Sequence, residues 1–149
     1  GQLRRLGQKD KKVDFTYIDN AAHAHLLAAE RLSPGSAISG RSFFITDDCP
    51  VPLWRFVNRI LNIAGFPAVE KSVHPGITYA AAGLLEAVYR VLRLRSEPRL
   101  TRFLVEEMST SHWFNIGAAR KDLGYRPLVD LETGMKRVAE WLAEGGEDC

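Results

Sequence analysis

Cysteine is nearly absent from this sequence. Cys49 and Cys149 are the two thiols present, too few for a disulfide framework or a cysteine-built zinc site, so both read as ordinary thiols of a reducing compartment. Glycine-rich phosphate turns are missing as well. Neither G-x-G-x-x-G nor G-x-x-x-x-G-K followed by serine or threonine occurs, and no nucleotide phosphate can be placed by motif. Residues 1–12 lack an apolar h-region, so they are not expected to act as a signal peptide. The most apolar stretch, residues 76–92, contains Glu86 and Arg90, both costly at a bilayer centre, so it does not read as a membrane span. No tyrosine is followed four residues later by lysine: Tyr17 meets Ala21, Tyr79 meets Gly83, Tyr89 meets Arg93 and Tyr125 meets Val129. An initial methionine is also missing, and the chain is expected to begin inside a longer protein.

The 149 residues suffice for one modest core, and 46% apolar with 26% charged residues describes a chain that packs. The net charge of +2 is unevenly spread. Residues 1–12 hold five bases and one acid, residues 140–149 four acids and no base. Opposite ends of this kind argue against a uniform nucleic-acid face, and no nucleic-acid partner is expected.

Strands and helices alternate along the chain. Val13, Phe15 and Tyr17 alternate with polar residues, which predicts a strand over 13–18. Asp19 or Asn20 then caps a helix over 21–32, with Ala24, Leu27, Ala28 and Leu32 on one face and Pro34-Gly35 as its stop. Residues 42–46 read as a strand buried on both faces. Pro52 opens a helix whose core stripe is Leu53, Phe56, Val57, Ile60, Leu61 and Ala64. A weak strand over 69–73 precedes a helix from Pro75, with a predicted buried stripe of Ile77, Ala80, Ala81, Leu84, Leu85, Val88 and Leu92, and Glu86, Arg90 and Arg93 at its solvated edge. Thr101 caps a short helix to Met108. A strand over 113–116 and a brief helix over 118–123, ended by Gly124, lead to Asp130. That residue caps a last helix with Leu131, Met135, Val138, Trp141 and Leu142 on its apolar side.

Candidate reactive groups have plain structural readings beside the functional ones. His23 and His25 spell H-x-H, but two positions apart on a helix they diverge and do not form a metal pair. His74 and His112 could line a pocket, and loop or core packing explains both. Asp47 and Asp48 fit a turn with helix-dipole contacts. Glu107 and Ser111 do not make a nucleophilic triad.

Three ordered stretches carry a family resemblance: VDFTYIDNAAHAHLLAAE at 13–30, SFFITDDCPVPLWRFVNRI at 42–60 and STSHWFNIGAARKDLGYRPLVDLETGMKRVAEWL at 109–142. Together they resemble the later part of extended short-chain dehydrogenases/reductases of the 3-beta-hydroxysteroid dehydrogenase and sterol-4-alpha-carboxylate 3-dehydrogenase type. The resemblance implies an α/β fold: the late portion of an extended NAD(P)-binding Rossmann-like fold plus a helical substrate-side region, with the N-terminal cofactor half absent. In the family an earlier half holds the glycine-rich turn, the catalytic serine or threonine and the tyrosine-lysine pair, and none of these carries over onto the present residues. No catalytic, cofactor-binding or metal residue is therefore assigned.

On this reading residues 1–149 form one partial domain: late Rossmann-like sheet and helices over 13–66, a mainly substrate-side and C-terminal region over 67–142, and a loose acidic tail over 143–149. The full-length parent is expected to use NAD or NADP to oxidise a secondary alcohol on a 3-beta-hydroxysteroid or sterol-like substrate, with decarboxylation of a sterol 4-carboxylate in one branch. The isolated chain is expected to be inactive and to bind no dinucleotide tightly. The substrate-facing region is placed at 73–104, where Tyr79 offers an aromatic wall with a polar edge and Arg90, Arg93 or Arg95 could meet an acidic substrate or phospholipid. Arg120, in AARKDLGYRP, could meet a substrate carboxylate at a cap junction. A cytoplasmic location or the cytoplasmic face of a membrane, peripheral membrane contact and self-association through exposed apolar surface complete the expectation. Two alternatives stand beside it: a noncatalytic binding or scaffold protein derived from this fold, and an extended-family reductase or epimerase for another substrate.

Overall fold

A computed structural model describes residues 3–146. In chain order its elements are β1 (Arg5–Leu6), β2 (Lys12–Val13), α1 (Ile18–Arg31), β3 (Val51–Pro52), α2 (Leu53–Ile63), β4 (Ser72–Val73), α3 (Pro75–Val91), α4 (Arg102–Ser109), a π-helical turn (Ala119–Leu123) and α5 (Leu131–Ala143). They divide between two compact units, Gly1–Val13 with Val51–His112 and Asp14–Pro50 with Trp113–Cys149.

In the first unit β1 pairs with β4 in parallel, Arg5 opposite Ser72, and β2 pairs with β3 antiparallel, Lys12 opposite Pro52. Pro52 is tolerated because its ring sits at the head of α2, where a missing amide costs nothing. Leu6, Ala82 and Val105 form the buried cluster, with Val73, Leu100 and Met108 packed on it. Thr101 caps α4 as expected, its hydroxyl accepting from the Leu104 amide at 3.1 Å.

The α3 helix forms where the sequence predicts, but on a different face. Ala82 is its buried residue, while Ile77, Leu84, Val88 and Leu92 of the predicted stripe are exposed. A helix apolar nearly all round carries no periodic signal strong enough to choose its own inward face, and the short α4 selects the Ala82 side. Glu86 is no solvated edge residue. It accepts from the Arg102 amide at 2.7 Å and from Arg102 Nε at 2.8 Å, joining α3 to the head of α4.

In the second unit Ala24, Ile38, Ile116, Ala119, Leu123 and Tyr125 form the core, with Leu27, Ala28, Phe43 and Ile45 against it. The predicted strand over 13–18 does not form beyond Val13, the last residue of β2, and α1 begins three residues earlier than expected. Neither Asp19 nor Asn20 caps it: Tyr17 is the N-cap, and its carbonyl accepts from the amides of Asn20 and Ala21. Residues 42–46 form no ladder. Phe43 and Ile45 point inward and Phe44 outward, stacked on Phe114 at 4.4 Å between ring centroids. The Asp47 amide donates to the Phe15 carbonyl, the Thr16 hydroxyl to the Ile45 carbonyl and the Tyr17 amide to the Asp47 carboxylate, and this stretch pairs with 14–17 in no strand ladder. The predicted strand over 113–116 does not form, and the nearest pairing is a single bridge between Val13 and His112 just before it.

The brief helix over 118–123 is a π-helical turn that stops at Gly124, where φ is 67° and a left-handed residue is needed. Asp130 caps α5 as predicted, accepting from the Thr133 amide at 2.7 Å. Met135 is buried on that helix and Trp141 is exposed. Residues 147–149 of the expected acidic tail, Cys149 among them, lie outside the described residues.

Candidate functional site

The first unit carries an apolar cavity of about 620 Å³. Its walls are Leu6, Val73, Ile77, Ala81, Leu100 and Met108, contributed by β1, β4, α3, α4 and the turn before α4. Arg4, Arg99, His74 and Thr78 supply its polar atoms, and no acidic residue lines it. The two arginines meet no carboxylate among the described residues. His74 is the N-cap of α3, and its Nδ1 accepts from the Gly76 amide at 3.2 Å, which leaves the ring proton on Nε2. Thr78 Oγ1 donates to the His74 carbonyl at 3.0 Å. An apolar hollow with cationic groups and one imidazole N–H suits an amphiphilic anion of moderate size.

The second unit is organised around buried polar groups. Asn20 is completely buried. Its Nδ2 donates to Asp47 Oδ1 at 2.7 Å and to the Val129 carbonyl at 2.8 Å, and its Oδ1 accepts from the Leu128 and Val129 amides at 2.8 and 2.9 Å. Asp47 takes the Tyr17 amide with both carboxylate oxygens, at 3.0 and 2.9 Å. Tyr125, also fully buried, donates its hydroxyl to the Thr46 carbonyl at 3.0 Å.

Burial, with the negative charges of Asp47 and Asp14 behind it, pushes the Tyr125 phenol up to about 12. It serves as a neutral donor, not as a base. Since a phenol in an unfolded chain titrates near ~10, the folded state holds this proton more tightly. Stability from this group is complete below that value and is lost as the pH rises towards the folded pKa, by about 2–3 kcal/mol. Denaturant unfolding across the alkaline range checks this: Tyr125→Phe should flatten the decline, and an unaltered slope in the variant contradicts it.

The structure puts the two sequence-nominated residues in different units. Tyr79 lies on α3, 38% exposed, with the Arg102 guanidinium 6.0 Å from its ring centroid. It does not line the apolar cavity, although its neighbours Ile77 and Thr78 do. Arg120, in the second unit, pairs with Asp48, a residue held at φ 54°. It also borders a separate cleft of about 490 Å³ with Gly124, Arg126 and Pro127. The Asp48 carboxylate already engages the Arg120 guanidinium, so an acidic ligand there would have to displace it. Arg4, Arg99 and Asn20 were missed by sequence reasoning. No local pattern singles out either arginine, and only a fold could show Asn20 meeting Asp47 and Val129.

The heads of α2 to α5 are engaged from within the chain, while α1 has no side-chain cap. Asp47 takes the Tyr17 amide before α1, Asp10 takes the Trp54 amide of α2 at 3.0 Å, His74 serves α3, Thr101 and Glu86 serve α4, and Asp130 serves α5. These are the amides that could cradle a phosphate. Among the described residues no group of three or more His, Cys, Asp or Glu side chains is placed to hold a metal ion. No helix there is long and apolar enough to cross a membrane.

Comparison with known proteins adds independent findings. A model of the 3-beta hydroxysteroid dehydrogenase/isomerase family matches residues 1–74. The chain is 45% identical over 93% of its length to a 2-alkyl-3-oxoalkanoate reductase of Stenotrophomonas maltophilia, covering 42% of that protein, and 44% identical over 93% to one of Shewanella oneidensis, covering 36%. It is 34% identical over 91% to the decarboxylating sterol-4-alpha-carboxylate 3-dehydrogenase of Mus musculus, covering 38%. The chain thus spans roughly two fifths of the curated relatives it matches. Among solved structures, gox2253 superposes with a TM-score of 0.62 at 24% identity, over 92% of this chain and 39% of that one. The likeness shows an α/β Rossmann-like fold.

Proposed function

From a chain related to the 3-beta hydroxysteroid dehydrogenase/isomerase family of short-chain dehydrogenases/reductases, we propose that the whole protein is an NAD(P)-dependent reductase whose substrate is a non-sterol acyl compound of the 2-alkyl-3-oxoalkanoate kind. The observation that carries this reading is the 45% identity to a 2-alkyl-3-oxoalkanoate reductase, against 34% for the mouse sterol-carboxylate dehydrogenase over a similar span. The sterol substrate implied by the first resemblance gives way to this alternative. The apolar cavity of the first unit supports a hydrophobic small-molecule substrate.

The heads of α2 to α5 do not suit the dinucleotide itself. A pyrophosphate needs free amides at a strand-to-helix turn, and the heads of α2 to α5 already hold side-chain acceptors of this chain. On this reading the cofactor is held by other residues of the whole protein, and the described part contributes substrate holding. Reduction of a 3-oxo group to a secondary alcohol takes up two electrons and two protons, and no residue here is assigned to their transfer.

The test uses the whole encoded protein with reduced NAD or NADP. A 2-alkyl-3-oxoalkanoate should consume the reduced nicotinamide about 100-fold faster than a 3-beta-hydroxysterol 4-carboxylate drives the opposite reaction with oxidised cofactor, a margin within reach of a pocket built for one substrate shape. Equal rates, or preference for the sterol, contradict the proposal.

A further inference from the structure

The apolar cavity of the first unit carries a more specific assignment. We propose that it holds the hydrocarbon chain of an acyl carboxylate, with the carboxylate at Arg4 and Arg99. The inference rests on the reductase reading above and adds where the chain lies and what limits its length.

Three observations favour an amphiphilic monoanion. At about 620 Å³ the cavity falls within the usual range for small-molecule sites. Its wall is aliphatic, and Met108 and Ile77 can repack around a flexible chain. Its charge is of one sign: Arg4 and Arg99 line it, no acid does, and neither arginine has a carboxylate partner among the described residues. An arginine fork binds a carboxylate with both oxygens. The Nε2 proton of His74 is a further donor in the lining.

Ala81 is the position that limits chain length. It contributes to the wall from an exposed site on α3, so a larger side chain there fills the cavity without overpacking the core around Ala82. Each methylene transferred from water into such a wall is worth about fourfold in affinity.

The experiment is calorimetric titration of the whole encoded protein, without cofactor, with saturated straight-chain carboxylates of increasing length. Affinity should rise by about fourfold per methylene and then level off. In Ala81→Phe the plateau should come at a shorter chain, while the shortest acids bind as to the parent protein. Arg99→Ala should weaken all lengths by about tenfold or more, and a primary alcohol of equal length should bind the parent as weakly as the acid binds Arg99→Ala. An unchanged length series in Ala81→Phe, no acid binding, or tighter binding of a sterol carboxylate than of a straight-chain acid overturns the assignment. Turnover of a 2-alkyl-3-oxoalkanoate on the same proteins separates the two claims. Turnover unaffected by either substitution removes the cavity assignment alone, and acid binding without turnover in the parent removes the reductase reading alone.

Discussion

Replacing Asn20 by alanine is expected to lower stability by about 3–5 kcal/mol, because each buried polar group left without its partner costs about 1–3 kcal/mol and four such bonds end on this one side chain. Some of that cost is recovered where water enters, which keeps the total below the sum. Asn20→Asp discriminates this account from simple loss of packing. The introduced carboxylate has the shape of the amide but cannot donate to the Val129 carbonyl, and it faces Asp47 at the position where Nδ2 now lies 2.7 Å from Oδ1. Burial and that neighbouring charge raise the folded-state pKa of the new group above its unfolded value. Its folded form therefore binds the proton more tightly, so the variant should be most stable in acid and lose stability as the pH rises through the raised pKa. Urea unfolding of the whole protein at neutral pH and near about pH 5 checks both variants. A loss below about 1 kcal/mol for alanine, or an aspartate variant more stable at neutral pH than in acid, removes Asn20 from this role.

Why Asn20 was read as a cap and not as a buried tie shows where sequence reasoning works. Caps at Thr101 and Asp130 depend on an amide three residues away, and each is legible from its own neighbourhood. Gly124 is legible for the same reason: a glycine just past a short helical pattern predicts the left-handed residue found there. Asn20, by contrast, binds Asp47 and Val129, partners 27 and 109 positions along the chain. No local pattern encodes such a choice. The same holds for residues 42–46, whose apolar run is legible while the number of neighbouring strands is not. It holds for α3 too, where helical length and the proline start are legible but the buried face is chosen by α4.

The candidate site divides along the same line. The helix-rich stretch from Val73 to Leu104 is apolar enough to be nominated from composition, and the cavity does draw Val73, Ile77, Ala81 and Leu100 from it. Arg4 comes from a basic run whose sequence points to no pocket, and Tyr79 lies two positions from the wall residues Ile77 and Ala81 without joining them. The likeness to these reductases and dehydrogenases was legible because the three quoted stretches hold caps, turns and core positions such as Asn20, Gly124 and Asp130, which fix a scaffold. Scaffold positions do not distinguish one acyl or steroid substrate from another. That distinction falls to cavity walls, and these come from separate elements.

The second large effect belongs to the other unit. Trp54, the first-turn tryptophan of α2, is 2% exposed, and the predicted apolar stripe of that helix omitted it. Truncating a buried aromatic ring of this size leaves a void the surroundings fill only in part, so Trp54→Ala should cost about 3–5 kcal/mol. Trp54→Phe should cost less than about 1.5 kcal/mol. The indole Nε1 is buried without a hydrogen-bond partner among the described residues, and losing an unsatisfied donor offsets part of the lost ring contact. Fluorescence supplies an independent readout. Trp113 and Trp141 are 56% and 51% exposed, so Trp54 is the apolar-environment emitter, and Trp54→Phe should remove the blue-shifted component while leaving a cooperative unfolding transition. Equal costs for the two substitutions would mean that a retained six-membered ring recovers none of the packing, which contradicts this account. A small cost for alanine would mean that α2 is not anchored through its first turn, although Asp10 holds the Trp54 amide at 3.0 Å and the Lys11 carbonyl holds that of Leu53 at 2.8 Å.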